Sequence, residues 1–348
     1  MTKIPIGIFI SDIHIKNNGS NHFLIKDIFR QVIELCQKHK IATIYSLGDI
    51  FDSKLSFRNV QTDISLLLFD EILNQLKSND ISLVSIVGNH DKDDDDGVLS
   101  FLHVFQKHSN FKLIETSQVI QVSKDVELYF LSYYKETCSK YIGYLNELWN
   151  KCNQSTVKCK FLLTHIAVNG VRNNDYTEVS NQISANLFAS FNSVFVGHYH
   201  DKQFIEPNIH YMGSAYQANY GENDDKGVLI LNEDGSLTEQ NLIFPRYKTY
   251  EIGKNNVDLI ESIIDDETVE YKNVKFTLSE QERAELDDVI QIVKQSCRVS
   301  FKKDDIVPSN NDSHLLRYNK DLISKQFDLF ALKNQTSKEI VSLIKSFL

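Results

Sequence analysis

The chain has 348 residues, 42% hydrophobic and 24% charged, with a formal net charge of −10. That length suits one large domain with a smaller appendage, and the composition argues against a disordered chain. The acidic balance argues against a simple basic nucleic-acid-binding module, whose affinity comes from neutralising phosphates. It leaves room for an enzyme whose carboxylates hold cations that meet a phosphate.

The five cysteines are odd in number and include no C-x-x-C pair, which points to reduced thiols in an intracellular protein. No signal peptide is expected, because the apolar stretch at 6–10 is short and runs straight into Ser11-Asp12. Nor is any apolar run long enough to span a bilayer.

In chain order, apolar β-rich runs at 4–10, 43–47 and 82–87 predict buried strands, each closed by a polar or glycine-containing turn. Between them, residues 22–39 and 59–78 carry apolar residues at helical spacing, among them Val60, Ile64, Leu67, Leu68 and Ile72. This alternation predicts parallel pairing with functional loops at the carboxyl ends of the strands. Asp93–Asp96 reads as a solvated loop. Further strands are expected at 127–131, 161–164 and 193–196, then a β-meander over 203–252 with turns at Pro207-Asn208 and Asp234-Gly235. Beyond 252 the pattern changes to a helix at 256–265, a strand at 268–278, a helix opened by a Ser279/Glu282 capping box and a strand at 297–301. Residues 304–313 form a polar linker, and 314–348 contain two helical stretches with apolar faces. The reading divides the chain at 1–252, 253–303, 304–313 and 314–348.

Five short motifs sit in or just after predicted strands: Asp12-x-His14, Gly48-Asp49-Ile50-Phe51-Asp52, Gly88-Asn89-His90-Asp91, Thr164-His165 and Gly197-His198-Tyr199-His200. Each alone has an ordinary reading: a polar strand end, a capped turn, a hydrogen-bonded core histidine. The last is stronger, since alternate residues of an extended segment project to one side and present two imidazoles together. As a set they are specific, because strand ends converge on one sheet edge. They supply Asp, Asn and His without thiolate, which suits Mn²⁺, Mg²⁺ or Fe²⁺ better than structural zinc.

The order and content of these motifs resemble the calcineurin-like metallophosphoesterase superfamily, and within it the SbcD-type nuclease subunits of recombination endonucleases. Three features carry the narrower likeness. Asp52 is followed by Ser53-Lys54, where protein phosphatases continue with Arg-Gly. Tyr211-Met212-Gly213-Ser214 comes shortly after His200. The run Tyr220-Gly221-Glu222-Asn223-Asp224-Asp225-Lys226-Gly227, with the small α/β unit and helical tail, is similar to the phage members.

The resemblance implies an α/β fold: a two-sheet α/β sandwich with a small α/β capping domain and a helical C-terminal tail. It implies two divalent ions per chain, Mn²⁺ with Mg²⁺ as the alternative. One would be held by Asp12, His14, Asp49 and His200, the other by Asp49, Asn89, His165 and His198, with Asp49 bridging. Paired cations acidify a water and clamp the attacking and leaving oxygens of a phosphodiester in line. His90, directly after a ligand, would then stabilise the phosphate or protonate the leaving group, with Asp52 orienting its ring.

The implied activity is that of the DNA exo/endonuclease subunit of an SbcCD-type complex, which processes DNA ends in recombination and double-strand-break repair. The implied partners are DNA, an SMC-like ATPase docked on the 314–348 tail, and a second copy of the chain through helices near 59–78 and 98–107; the alternatives are a tail docked on the chain's own domain and a 98–107 face buried within the monomer. No membrane contact is expected, and the location would be cytoplasmic, at the nucleoid or, for a viral source, in the host cytoplasm. Lys16, Lys54, Arg58 and Arg172 lie just beyond motif loops and are candidate phosphate contacts, with ordinary exposed bases as the alternative. His210 reads as structural. Two competing readings are a small-molecule or cyclic-nucleotide metallophosphodiesterase on the same centre and a non-catalytic scaffold. The complete donor set disfavours the scaffold.

Overall fold

The computed structural model describes residues 3–52, 63–135, 138–173, 177–180 and 182–302. Lys54, Arg58, the linker at 304–313 and the tail at 314–348 lie outside them.

Among the described residues the apolar runs build two six-stranded sheets. In the first, β1 (Pro5–Ile10), β2 (Thr43–Ser46), β3 (Ser82–Ile86) and β4 (Phe111–Ile114) lie parallel and in order. The antiparallel strands β11 (Gly227–Asn232) and β12 (Leu237–Asn241) extend its β1 edge. In the second, β6 (Val126–Leu131), β7 (Cys159–His165), β8 (Ser193–Gly197) and β10 (Ile209–Tyr211) are parallel. Antiparallel β5 (Ser117–Gln121) and β9 (Gln203–Ile205) close its two edges.

Strand alternation sets the layers. Phe9 of β1 meets Leu128 and Phe130 of β6, Phe161 and Leu163 of β7 and Phe195 of β8 in one buried cluster between the sheets. Ile8 and Ile10 face the other way, onto Ile25, Phe29 and Val32 of α1 (His22–His39) and Phe69 and Ile72 of α2 (Asp63–Ser78). Tyr129, Leu131, Leu162 and Val194 pack likewise on Tyr141, Leu145 and Leu148 of α3 (Ser139–Gln154). Both faces of each sheet are covered, which is why the strands read as continuous apolar runs. Each fully buried Leu or Phe here contributes about 1.5–3 kcal/mol.

One expectation needs correction. The 203–252 stretch is not one meander: β9 and β10 join the second sheet, β11 and β12 the first, and β13 (Tyr247–Ile252) a third. Turn residues mark where a chain reverses but not which sheet receives it. In that third sheet β13, β14 (Tyr271–Phe276) and β15 (Arg298–Phe301) are parallel. They share a core with α4 (Ile260–Ile264) and α6 (Asp287–Ser296), while Ser279 and Glu282 form the expected capping box at the start of α5 (Glu280–Glu285). Tyr247–Ile252 thus pairs with the strands of this small α/β unit.

Residues 98–107, one of the segments expected near a self-association surface, leave Leu99 and Val104 exposed. Phe101–Lys107 is a 3-10 turn whose Leu102 (0% exposed) and Phe105 (4%) are buried in the α1/α2 core. A second exposed apolar group is formed by Phe23 (91%) and Leu67 (66%), which share a surface depression with Ile64.

Candidate metal centre

The carboxyl ends of strands from both main sheets deliver the donor residues. Asp12 and His14 follow β1, Asp49 follows β2, Asn89 follows β3, His165 ends β7, and His198 and His200 follow β8. The first two loops are laced together by backbone bonds from Asp12 N to Gly48 O (3.3 Å), His14 N to Asp49 O (3.0 Å) and Ile15 N to Ile50 O (2.8 Å). The second and third touch backbone to backbone: a Cβ on Gly48, which has φ +91°, would lie 2.6 Å from Gly88 N. Asp12, His14, Asp49 and His198 all have positive φ (53°, 51°, 53° and 89°), a conformation side-chain-bearing residues adopt at a cost.

The side chains converge as two groups that could each hold an ion, Asp12/His14/His200 and Asp49/His165/His198, with donor atoms within 4.8 Å of one another in each. His14 and His200 bring their Nε2 atoms to 3.0 Å. Asn89 Oδ1 faces His165 Nε2 at 2.9 Å and His198 Nδ1 at 2.8 Å. Asp49 Oδ2 stands between the groups, 3.7 Å from His14 Nε2 and 3.3 Å from His165 Nε2. His165 Nδ1 lies 2.7 Å from Leu47 O. It therefore donates there, and Nε2 is the nitrogen turned to the cluster, able to bind an ion once that ion displaces its proton.

The charges fit cations. Burial would raise the Asp12 carboxyl, but His14 and the nearby His165 and His200 hold it at about 2. Asp49 is held well below the usual carboxylate range, with burial outweighed chiefly by His165. Burial would lower the His14 and His165 imidazoles; the neighbouring carboxylates reverse this and push both to about 9. Burial, joined by His165, drives His198 down to about 4. Two buried imidazoles that retain protons this strongly mark a negative potential that divalent ions would neutralise. Oxygen and imidazole donors without thiolate fit the ions expected from the sequence.

All seven expected donors are thus brought together. His90 lies beside them, its ring 5.0 Å from that of His14, and its Nδ1 is 2.5 Å from Asp52. That contact is to the Asp52 carbonyl oxygen, whereas the Asp52 carboxylate faces His14 Nδ1 at 3.9 Å. Arg172 lines a cavity of 410 Å³ with Asn173, Asp201, Lys202 and Gln203. Lys16 offers backbone bonds to Asn21 and His22. His210 stacks on Phe195 and meets Phe204 at a tilt instead of joining the cluster.

Two residues escape the sequence reading. Asp91 is fully buried, and its carboxylate accepts from Ile50 N (2.9 Å), Phe51 N (3.2 Å) and Gly88 N (2.9 Å), fastening the second and third loops. Burial and the Asp49 charge push it up to about 7 against these donors. Glu222, also buried, receives His200 Nδ1 at 2.8 Å. The Asp91 signal was present in Gly88-Asn89-His90-Asp91, and that of Glu222 in the 220–227 run.

What fold and donors define together is a class: a hydrolase of phosphate esters that works with divalent ions. The family model for calcineurin-like phosphoesterases matches residues 8–202, more than half of the chain, and the chain belongs to that family. It is 25% identical over 225 residues to "Exonuclease subunit 1" of Enterobacteria phage T4, covering 61% of this chain and 59% of that protein's length. A solved structure, the calcineurin-like phosphoesterase YfkN from Bacillus subtilis, aligns over 69% of this chain and 89% of its own, with 10% identity and a TM-score of 0.40. No helix among the described residues is long and apolar enough to cross a membrane.

Proposed function

We propose that this chain is an Mn²⁺-dependent DNA nuclease, the SbcD-type subunit of a complex that processes DNA ends in recombination and double-strand-break repair. The observation that carries the reading is Asp49 Oδ2 shared between two donor groups. The similarity to a phage exonuclease subunit directs it to nucleic acid. Asp12, His14, Asp49 and His200 would hold one ion, and Asp49, Asn89, His165 and His198 the other. When bound, the pair would neutralise phosphate charge and acidify a water.

The chain's own groups do the rest. Asp91 holds the loops that carry Asp49 and Asn89 in register. His90, with Nδ1–H committed to the Asp52 carbonyl, has Nε2 as the nitrogen that gives a proton to the departing oxygen. Arg172 in its polar cavity is a candidate phosphate contact, and Lys16 a second. The 314–348 tail, outside the described residues, would carry the contact with an SMC-like ATPase.

The test is cleavage of linear duplex, hairpin and single-stranded DNA with Mn²⁺, beside a chromogenic phosphodiester, using the full chain and one lacking residues 306–348. Expected are DNA cleavage abolished by chelator, and a truncated chain that cuts single strands but neither binds the ATPase nor responds to ATP. Turnover of the chromogenic ester without any DNA cleavage would favour a small-molecule phosphodiesterase instead.

We further propose a homodimer built on the Phe23/Ile64/Leu67 depression, since an apolar side chain as exposed as Phe23 is the kind that association covers. Phe23→Glu with Leu67→Glu is expected to give a monomer in sedimentation at micromolar concentration, with its melting temperature unchanged. A wild-type monomer at that concentration would sink the idea.

A further inference from the structure

Glu222 belongs to none of the sequence motifs that supply donors, yet its carboxylate reaches the centre through His200. Its side chain is fully buried. Four donors surround it: His200 Nδ1 (2.8 Å) and Asn219 Nδ2 (2.7 Å) on Oε1, and Ala218 N (3.0 Å) and Lys226 Nζ (3.4 Å) on Oε2. Lys226, buried as well, also bonds the His200 carbonyl and Asp201 Oδ1 (2.9 Å). The Glu222 backbone is held from the other side. Gln217 Nε2 donates to Glu222 O (2.7 Å) and to Tyr247 O (2.8 Å), while Tyr247 N donates back to Gln217 Oε1 (2.8 Å). The carboxylate is thereby fixed between the His200 loop and β13 of the small unit.

We propose that Glu222 is a positioning residue for the metal centre, holding His200 as its Nδ1–H tautomer so that Nε2 faces the ion with a lone pair. A carboxylate offers acceptors only, so the ring nitrogen 2.8 Å away carries the proton. Nε2 is then an acceptor, and His14 Nε2, 3.0 Å from it, is the donor of that pair until an ion takes its place. Such partners behind an imidazole ligand set its orientation and basicity, and their loss typically costs about 10–100-fold in metal affinity. Both His200 and Glu222 sit in a segment braced by Lys226, so the ring has little freedom to find another partner.

The inference rests on reading the cluster as a metal centre, and its test needs no substrate. In ¹⁵N–¹H spectra of the metal-free full chain, His200 is expected to carry its proton on Nδ1. In Glu222→Gln, an amide NH₂ replaces one of the two acceptor oxygens among four donors. Mn²⁺ titration of that variant is expected to show one of two sites weakened about 10–100-fold and the other at wild-type affinity. A wild-type protein that takes up fewer than two ions overturns the metal-centre reading, and this role with it. A wild type that binds two, together with His200 protonated on Nε2 or Glu222→Gln binding both ions at full affinity, overturns the positioning role alone. The wild-type spectrum decides the matter even should the variant fold poorly.

Discussion

Asp49→Ala is expected to strip both ions from the protein and to abolish hydrolysis altogether. One oxygen, Asp49 Oδ2, lies within 4 Å of an imidazole nitrogen from each donor group, so its removal opens both coordination sets at once. Two buried imidazoles that lean on its charge lose that support as well. The loss should far exceed the roughly 10–100-fold that an outer partner costs. Elemental analysis after Mn²⁺ loading and gel filtration should read two ions per wild-type chain and none in the variant. A variant that retains one tightly held ion would show that Asp49 serves a single site. Asp49 Oδ1 also accepts from His90 N at 2.8 Å. Asp49→Asn, which keeps an acceptor there, separates this backbone contact from the lost charge.

His90→Gln is expected to do the opposite: keep both ions and DNA affinity while turnover falls about 10²–10⁴-fold, the usual worth of a general acid or base. His90 lies edge-on to His14 but stands outside both donor groups, and its Nδ1 is committed to a backbone carbonyl. Metal content, binding of uncleaved DNA and single-turnover rate on one preparation separate the effects. Near-normal turnover would remove His90 from the chemistry, and lost metal would make it a ligand.

The donors could be found in one dimension because each sits within a few residues of an apolar strand end, and because their types form a coherent set. The α/β sandwich was legible for a related reason, since sheets covered on both faces leave uninterrupted apolar runs. Asp91 and Glu222 were harder. Their partners include backbone amides of another loop and a distant imidazole, and hydrogen bonds across such separations have no fixed spacing in sequence. Asp52 meets His90 through its carbonyl and not its carboxylate, a distinction that residue identity cannot carry. The α3 helix was overlooked although Tyr141, Leu145, Leu148 and Cys152 recur at helical spacing and are all buried. Polar residues between them dilute the signal. The 203–252 strands were seen as strands and given the wrong sheets, because pairing partners are chosen by tertiary packing.

The left-handed backbone at Asp12, His14, Asp49 and His198 also limits what this centre can become. Away from glycine, positive φ is adopted most readily by Asn, Asp and His. Of the side chains able to bind metal, those three put hard oxygens or imidazoles at the cluster. Cysteine enjoys no such tolerance, and β-branched residues less still. The loops therefore filter the chemistry before any ion arrives. Single substitutions at these positions can trade Asp for Asn or His, but a thiolate-rich centre selective for softer metals would require new loops.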